Sequence, residues 1–113
     1  MGSNALQDAP YSLIPQPERV IQFGSITATY TLVGTKFSEG IVSLYIYSSF
    51  DSEIKLSLNG TNDWITLPTG PSAFIFDAKS NKAPIPGSFG VYAKQNLTLP
   101  SSGTLYVSAM TVA

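Results

Sequence analysis

Asp51 and Glu53 come nearest to a chemical constellation in this chain of 113 residues. Two carboxylates flanking a substrate could share general acid and base work, and with Asp63 they could offer hard oxygen ligands to calcium. Neither pattern is well formed. The sequence has no histidine, so any acid–base step would rest on carboxylates alone. The pair sits in a polar turn, where an Asx-turn is the ordinary role of Asp51. The spacing of an EF-hand loop is missing. Serines are plentiful, yet no G-x-S-x-G elbow and no histidine base accompany them, and no Gly-rich loop opens a helix to cradle phosphate. With no cysteine there is neither a disulfide framework nor a thiolate metal site. A non-enzymatic chain without metal or cofactor is expected.

Aromatic side chains are the remaining candidates. Trp64, Tyr45, Tyr47 and Tyr92 could stack on a sugar or a base. Against that stand core packing for Trp64 and interface packing for the tyrosines, which combine apolar area with a hydroxyl. Asn59-Gly60-Thr61 and Asn96-Leu97-Thr98 match the N-glycosylation pattern. The first residues lack a basic region followed by an apolar run, so no signal peptide is expected and both matches read as chance.

The elements that must carry these residues are strands. In 41–49, Val42, Leu44 and Ile46 alternate with polar or aromatic neighbours, and Ile54, Leu56 and Leu58 do the same further on. Residues two apart in a strand share a face. Ile41, Tyr45 and Tyr47 give the first of these strands a second apolar face, which calls for cover on both sides. Asn59-Gly60 supplies a turn with positive φ, Trp64 to Leu67 a short strand, 68–71 a turn, and 72–78 a strand with Phe74 and Phe76 together. Before this block, 25–33 sets Ile26, Ala28, Tyr30 and Leu32 against a ladder of threonines, the pattern of a half-solvated antiparallel strand. After it, 79–87 is a loop by its Asn, Pro and Gly content. Then 88–94 is a strand with Phe89, Val91 and Ala93 together, and 104–112 closes the sheet. No segment has helical spacing. About eight short strands separated by turns predict an antiparallel sandwich or barrel. Its core should rest on Ile46, Leu56, Leu58, Trp64, Phe74, Phe76 and Val107.

The chain divides into a proline-rich arm, 1–19, and a β-domain, 20–113. Pro10, Pro15 and Pro17 favour extended backbone. Tyr11, Leu13 and Ile14 would sit poorly in water, which suggests an arm laid on its own domain or on a neighbour rather than a disordered tail. Charged residues make up 12% of the chain, where about a quarter is usual. Six basic residues face seven acidic ones without clustering, so nucleic acid is not an expected partner. No apolar run approaches the roughly 20 residues of a membrane span, and no membrane role is expected. A polar, weakly charged surface suits burial against protein.

The run from Leu56 to Gly70, L-S-L-N-G-x-x-D-W-x-x-L-P-x-G, resembles small accessory proteins of tailed-phage virions. In that type a strand ending S-L-D/N-G leads through a short strand to an L-P-x-G turn. A later strand, a short S-G turn and a final strand of alternating aromatic and small residues follow. Here 88–94, Ser101-Ser102-Gly103 and Leu105 to Ala109 are similar to those parts. The resemblance covers residue 41 to the C-terminus and leaves out the arm. It implies a non-enzymatic β-sandwich, often jelly-roll-like, that resides in the virion and binds capsid or tail subunits in symmetric copies, decorating or cementing the shell or sitting at its neck or tail. A homo-oligomer is expected, with Tyr11, Leu13, Ile14, Tyr45 and Tyr47 as contact residues. The alternatives are a carbohydrate- or receptor-binding module using the exposed aromatics and loop 79–87, and a scaffold subunit that donates its arm as a strand.

Overall fold

Period-two alternation is strongest in 41–48 and 104–112, and these two segments form the centre of the fold. The computed structural model describes residues 13–78 and 85–113; Tyr11 and most of loop 79–87 lie outside them. Nine strands run in chain order: β1 Leu13–Pro15, β2 Arg19–Gln22, β3 Thr31–Leu32, β4 Ile41–Ser48, β5 Ile54–Ser57, β6 Ile65–Leu67, β7 Ser72–Asp77, β8 Tyr92–Gln95 and β9 Thr104–Val112. They make two antiparallel sheets. One has the order β1-β9-β4-β7, with β2 also on β9, and the other has the order β3-β8-β5-β6. With β2 leading the first sheet, this is the eight-strand order of a jelly roll, so the chain is an all-β sandwich as its pattern predicts.

β1 and β2 both run antiparallel to β9 on the side away from β4, Leu13 opposite Val112 and Arg19 opposite Val107. They read as one edge strand interrupted at Pro17. Proline cannot donate to a ladder and is tolerated at an edge. The gap is bridged by Gln16, whose backbone N–H donates to Ala109 C=O at 2.9 Å and whose Nε2 donates to Thr111 Oγ1 at 2.9 Å. The described part of the arm therefore lies on its own domain.

Leu44, Ile46, Leu105 and Val107 of the first sheet meet Ile54, Leu56 and Ala93 of the second, all essentially inaccessible to water. Of the expected core, Ile46, Leu56 and Val107 are fully buried, while Leu58, Trp64, Phe74 and Phe76 pack around them partly exposed. Trp64 meets the Phe74 ring edge-on, with centroids 5.1 Å apart. Phe37 and Phe50, both outside strands, are among the most buried side chains. Each lies on a connection between the two sheets.

Three local expectations change. The strand over 25–33 shrinks to Thr31–Leu32, preceded by a single 3₁₀ turn at Phe23–Ser25. The reason is local: Thr27 Oγ1 accepts the Thr29 N–H at 3.2 Å and donates to the Thr29 C=O at 3.0 Å. Such short-range bonds compete with a ladder. The segment still follows β8 loosely, since Gln95 N–H donates to Thr27 C=O and Val33 N–H to Val91 C=O. The strand over 88–94 begins only at Tyr92, because Ser88 adopts φ 74°. Finally, β4 carries a bulge between Ile41 and Ser43. One extra residue there turns Ile41 into the core and leaves Val42 buried as well, so the outward apolar side of β4 reduces to Tyr45 and Tyr47.

Candidate interaction face

The carboxylates that open the sequence argument are engaged in holding loops. Asp51 accepts the Ser101 N–H at 2.8 Å and the Ser101 hydroxyl. These bonds hold its carboxyl below the usual carboxylate range. Glu53 accepts from Asn96 Nδ2 at 2.9 Å. Asp63 lies elsewhere, on the outer side of the β3-β8-β5-β6 sheet. It accepts the Tyr30 hydroxyl at 2.5 Å, which with Lys94 and Lys55 nearby lowers its pKa. Burial, and then the bond to Asp63, push the Tyr30 phenol up. Lys94 Nζ stands 4.7 Å above the Tyr30 ring, and Lys55 Nζ donates to Thr66 Oγ1 at 3.2 Å. This outer side is charged and internally hydrogen-bonded.

The outer side of the other sheet is different in kind. Register fixes its rows, because residues directly opposite in an antiparallel pair share a side. Val20, Tyr106, Tyr47 and Ala73 form one row, Ser108, Tyr45 and Ile75 the next, and Pro15, Met110, Ser43 and Asp77 a third. The Tyr47 and Tyr106 rings lie 6.1 Å apart, tilted by 38°. Tyr45 is 43% exposed and Ile75 68%. An open depression of about 330 Å³ lies between them and the edge, lined by Pro15, Gln16, Ser43, Tyr45, Ile75, Ser108 and Met110 among others. Among the described residues, charge reaches this side only at its margins, at Asp77 and at Glu18, which accepts from the Ser108 hydroxyl at 3.4 Å. Such a surface offers aromatic and aliphatic area with scattered hydroxyls, the composition of a protein contact.

The structure places the expected contact residues as follows. Tyr45 and Tyr47 are neighbours on this side, and Leu13 joins them at the edge opposite Val112. Ile14 stands opposite Thr111, on the sandwich-facing side of the edge, so it does not belong to the same surface. Tyr11 lies outside the described residues. Tyr106, Ile75, Val20 and Met110 complete the face and were not foreseen as contacts. Alternation in 72–78 and 104–112 does place Ile75, Tyr106 and Met110 opposite core positions, but only register brings them to the same face as Tyr45. Tyr92, a candidate stacking platform, lies half-buried over Gly60, where an added Cβ would come within 3.0 Å of its ring.

The phage-like motif resolves into turn chemistry. Ser57 Oγ accepts the N–H groups of Asn59 and Gly60 at 3.2 and 2.9 Å, and Asn59 Oδ1 accepts those of Thr61 and Asn62 at 2.8 and 2.9 Å. Gly60 takes φ 82°. In the L-P-x-G turn the Gly70 N–H donates to the Phe50 C=O at 2.8 Å and the Ser72 hydroxyl to the Pro68 C=O at 3.1 Å.

No protein-family model matches the chain, and no curated protein matches it significantly. Among solved structures, the SPBc2 prophage-derived protein YomS aligns over 87% of this chain and 96% of its own, with 12% identity and a TM-score of 0.49. That likeness is too loose to bear on function.

Proposed function

We propose that this protein is a non-enzymatic structural component of a phage particle, carried in repeated copies that decorate or cement the capsid or sit at its neck or tail. The observation that carries the reading is the asymmetry of the sandwich. One outer side is charged and satisfied within the molecule, and the other presents Tyr45, Tyr47, Tyr106 and Ile75 with charge only at its margins. Jelly rolls are common in viral shells, and the motif from Leu56 to Gly70 is similar to that of small virion accessory proteins. Bound through this side, each copy would gain a modest apolar contact, and repetition over a symmetric lattice would convert it into avidity. Asp51 and Glu53 hold loops and Asp63 holds Tyr30, which supports reading the tyrosines of the other side as the contact residues.

The test is mass spectrometry of purified virions from the phage that carries the gene, with the wild-type gene and with Tyr45→Ser. Tyr45 is exposed, so the variant should fold. The expected result is a particle-borne protein in many copies that is lost or depleted at least tenfold in the variant. Virions without the protein, or with Tyr45→Ser at wild-type level, would overturn the reading.

A further inference from the structure

Among the described residues four strand edges border the two sheets, and three of them are closed to pairing by their own chemistry. β1 ends in Pro15 and is cut off from the four-residue β2 at Pro17, β3 has two residues, and β6 has three and runs into Pro68. Edges of that kind resist addition of another strand. β7 is the exception: six residues, Ser72–Asp77, with no proline or lysine and no charge before its last position. The Ala78 N–H donates to Val42 C=O and the Gly70 N–H to Phe50 C=O, both at 2.8 Å. In an antiparallel ladder the bonded pairs alternate, so even-numbered residues of β7 aim their N–H and C=O at β4. Those of Ala73 and Ile75 point away, and among the described residues they meet no backbone partner.

We propose that β7 is a self-association edge, to which the β7 of a second copy adds antiparallel about a two-fold axis at Ile75, continuing the sheet from one molecule into the next. A second copy fits because each property of the edge is its own complement. Centred on Ile75, the two Ile75 residues exchange both N–H···O=C bonds. Phe74 falls opposite Phe76 of the other copy on the sandwich-facing side, where both rings are only half-buried, and aromatic pairs across strands are favourable. On the outer side the two Ile75 side chains, each 68% exposed, pack together beside Tyr45. The register must keep each side chain on its own side, and centred here it also keeps the two Asp77 carboxylates from standing opposite one another. The pairing does not depend on the virion reading, because it uses backbone groups rather than the sheet's outer face alone.

Sedimentation velocity across a concentration series, with Ile75→Lys and Ile75→Pro, tests this. The wild type should run at twice 12.0 kDa, or at an even multiple of it. Ile75→Lys should halve that mass while keeping its circular dichroism. The proline variant removes the outward N–H together with the isoleucine side chain, at an edge position that tolerates proline, and should behave alike. Should either variant fold poorly, hydrogen exchange on the wild type decides: the Ile75 amide must become slower as concentration rises. A wild type that stays monomeric into the hundreds of micromolar overturns the proposal, and so does a dimer that survives both substitutions. A dimer that dissociates on deletion of residues 1–12 but not in Ile75→Lys would assign the contact to the arm instead. A monomer that still enters virions would refute the edge pairing and leave the proposed function standing.

Discussion

Asp51 and Asp63 show how single side chains here serve the fold. Both carboxyls sit below their ordinary value of 3.8, Asp51 through Ser101 and Asp63 through Tyr30. A depressed folded-state pKa means that the unfolded chain binds protons first as pH falls. The stabilisation is therefore complete well above pH 3.8, and is lost progressively below it until the folded-state value is passed. Thermal melts from pH 6 to pH 2 should show an acid limb that flattens in Asp63→Asn and in Asp51→Asn, with little change between the wild type and the variants in its slope above pH 5. At this scale the sequence was informative about turns. Asn59-Gly60 announced a positive φ, and Asp51 announced a turn carboxylate. It was silent on Tyr106 and Ile75 as neighbours of Tyr45, because a shared face across three strands depends on register. That register, continuous from Ser43 to Ser48 on both neighbouring strands, is not something alternation alone reveals.

Among the elements, the interrupted edge strand depends most on one residue. Arg19 opens β2, lays its guanidinium 4.1 Å over the Phe37 ring, and donates to the Pro17, Thr35 and Lys36 carbonyls. Gly34, at φ 69°, leaves the room that the Arg19 stem occupies. Arg19→Ala should cost about 1–2 kcal/mol, from a stacked cation and hydrogen bonds that are partly open to water. Amide exchange should quicken at Ile21 and Phe23, whose N–H groups face β9, while β9 stays protected on its β4 side. Arg19→Lys should recover little, since an ammonium cannot reproduce the planar fork. Strands with clean alternation were legible nearly to the residue: 104–112 is β9, and the strand expected over 41–49 ends one residue sooner as β4. The threonine ladder of 25–33 misled because Thr27 bonds its own backbone neighbour, a preference that period-two counting does not weigh.

For the molecule as a whole, the two sheets share one core, and the connections between them help to fill it. Phe37 enters between β3 and β4, Phe50 between β4 and β5, and both are essentially inaccessible to water. Phe50→Ala should cost about 3–5 kcal/mol, a large part of the roughly 5–15 kcal/mol that holds a domain together. In urea the midpoint should fall accordingly, with near-UV and far-UV signals still moving together as both sheets unfold at once. The class of fold could be inferred from turn spacing and alternation. These two phenylalanines could not, because they lie in irregular backbone where no period marks the inward direction.

Leu13 opposite Val112 has a practical corollary. Whatever precedes the first of these residues and whatever follows the second departs from a single corner, beyond the short β1 end of the sheet and across its full width from β7. A cargo joined directly at Leu13 or just after Val112 would hang from the same point, and a brief linker between those two residues could close the described domain into a ring.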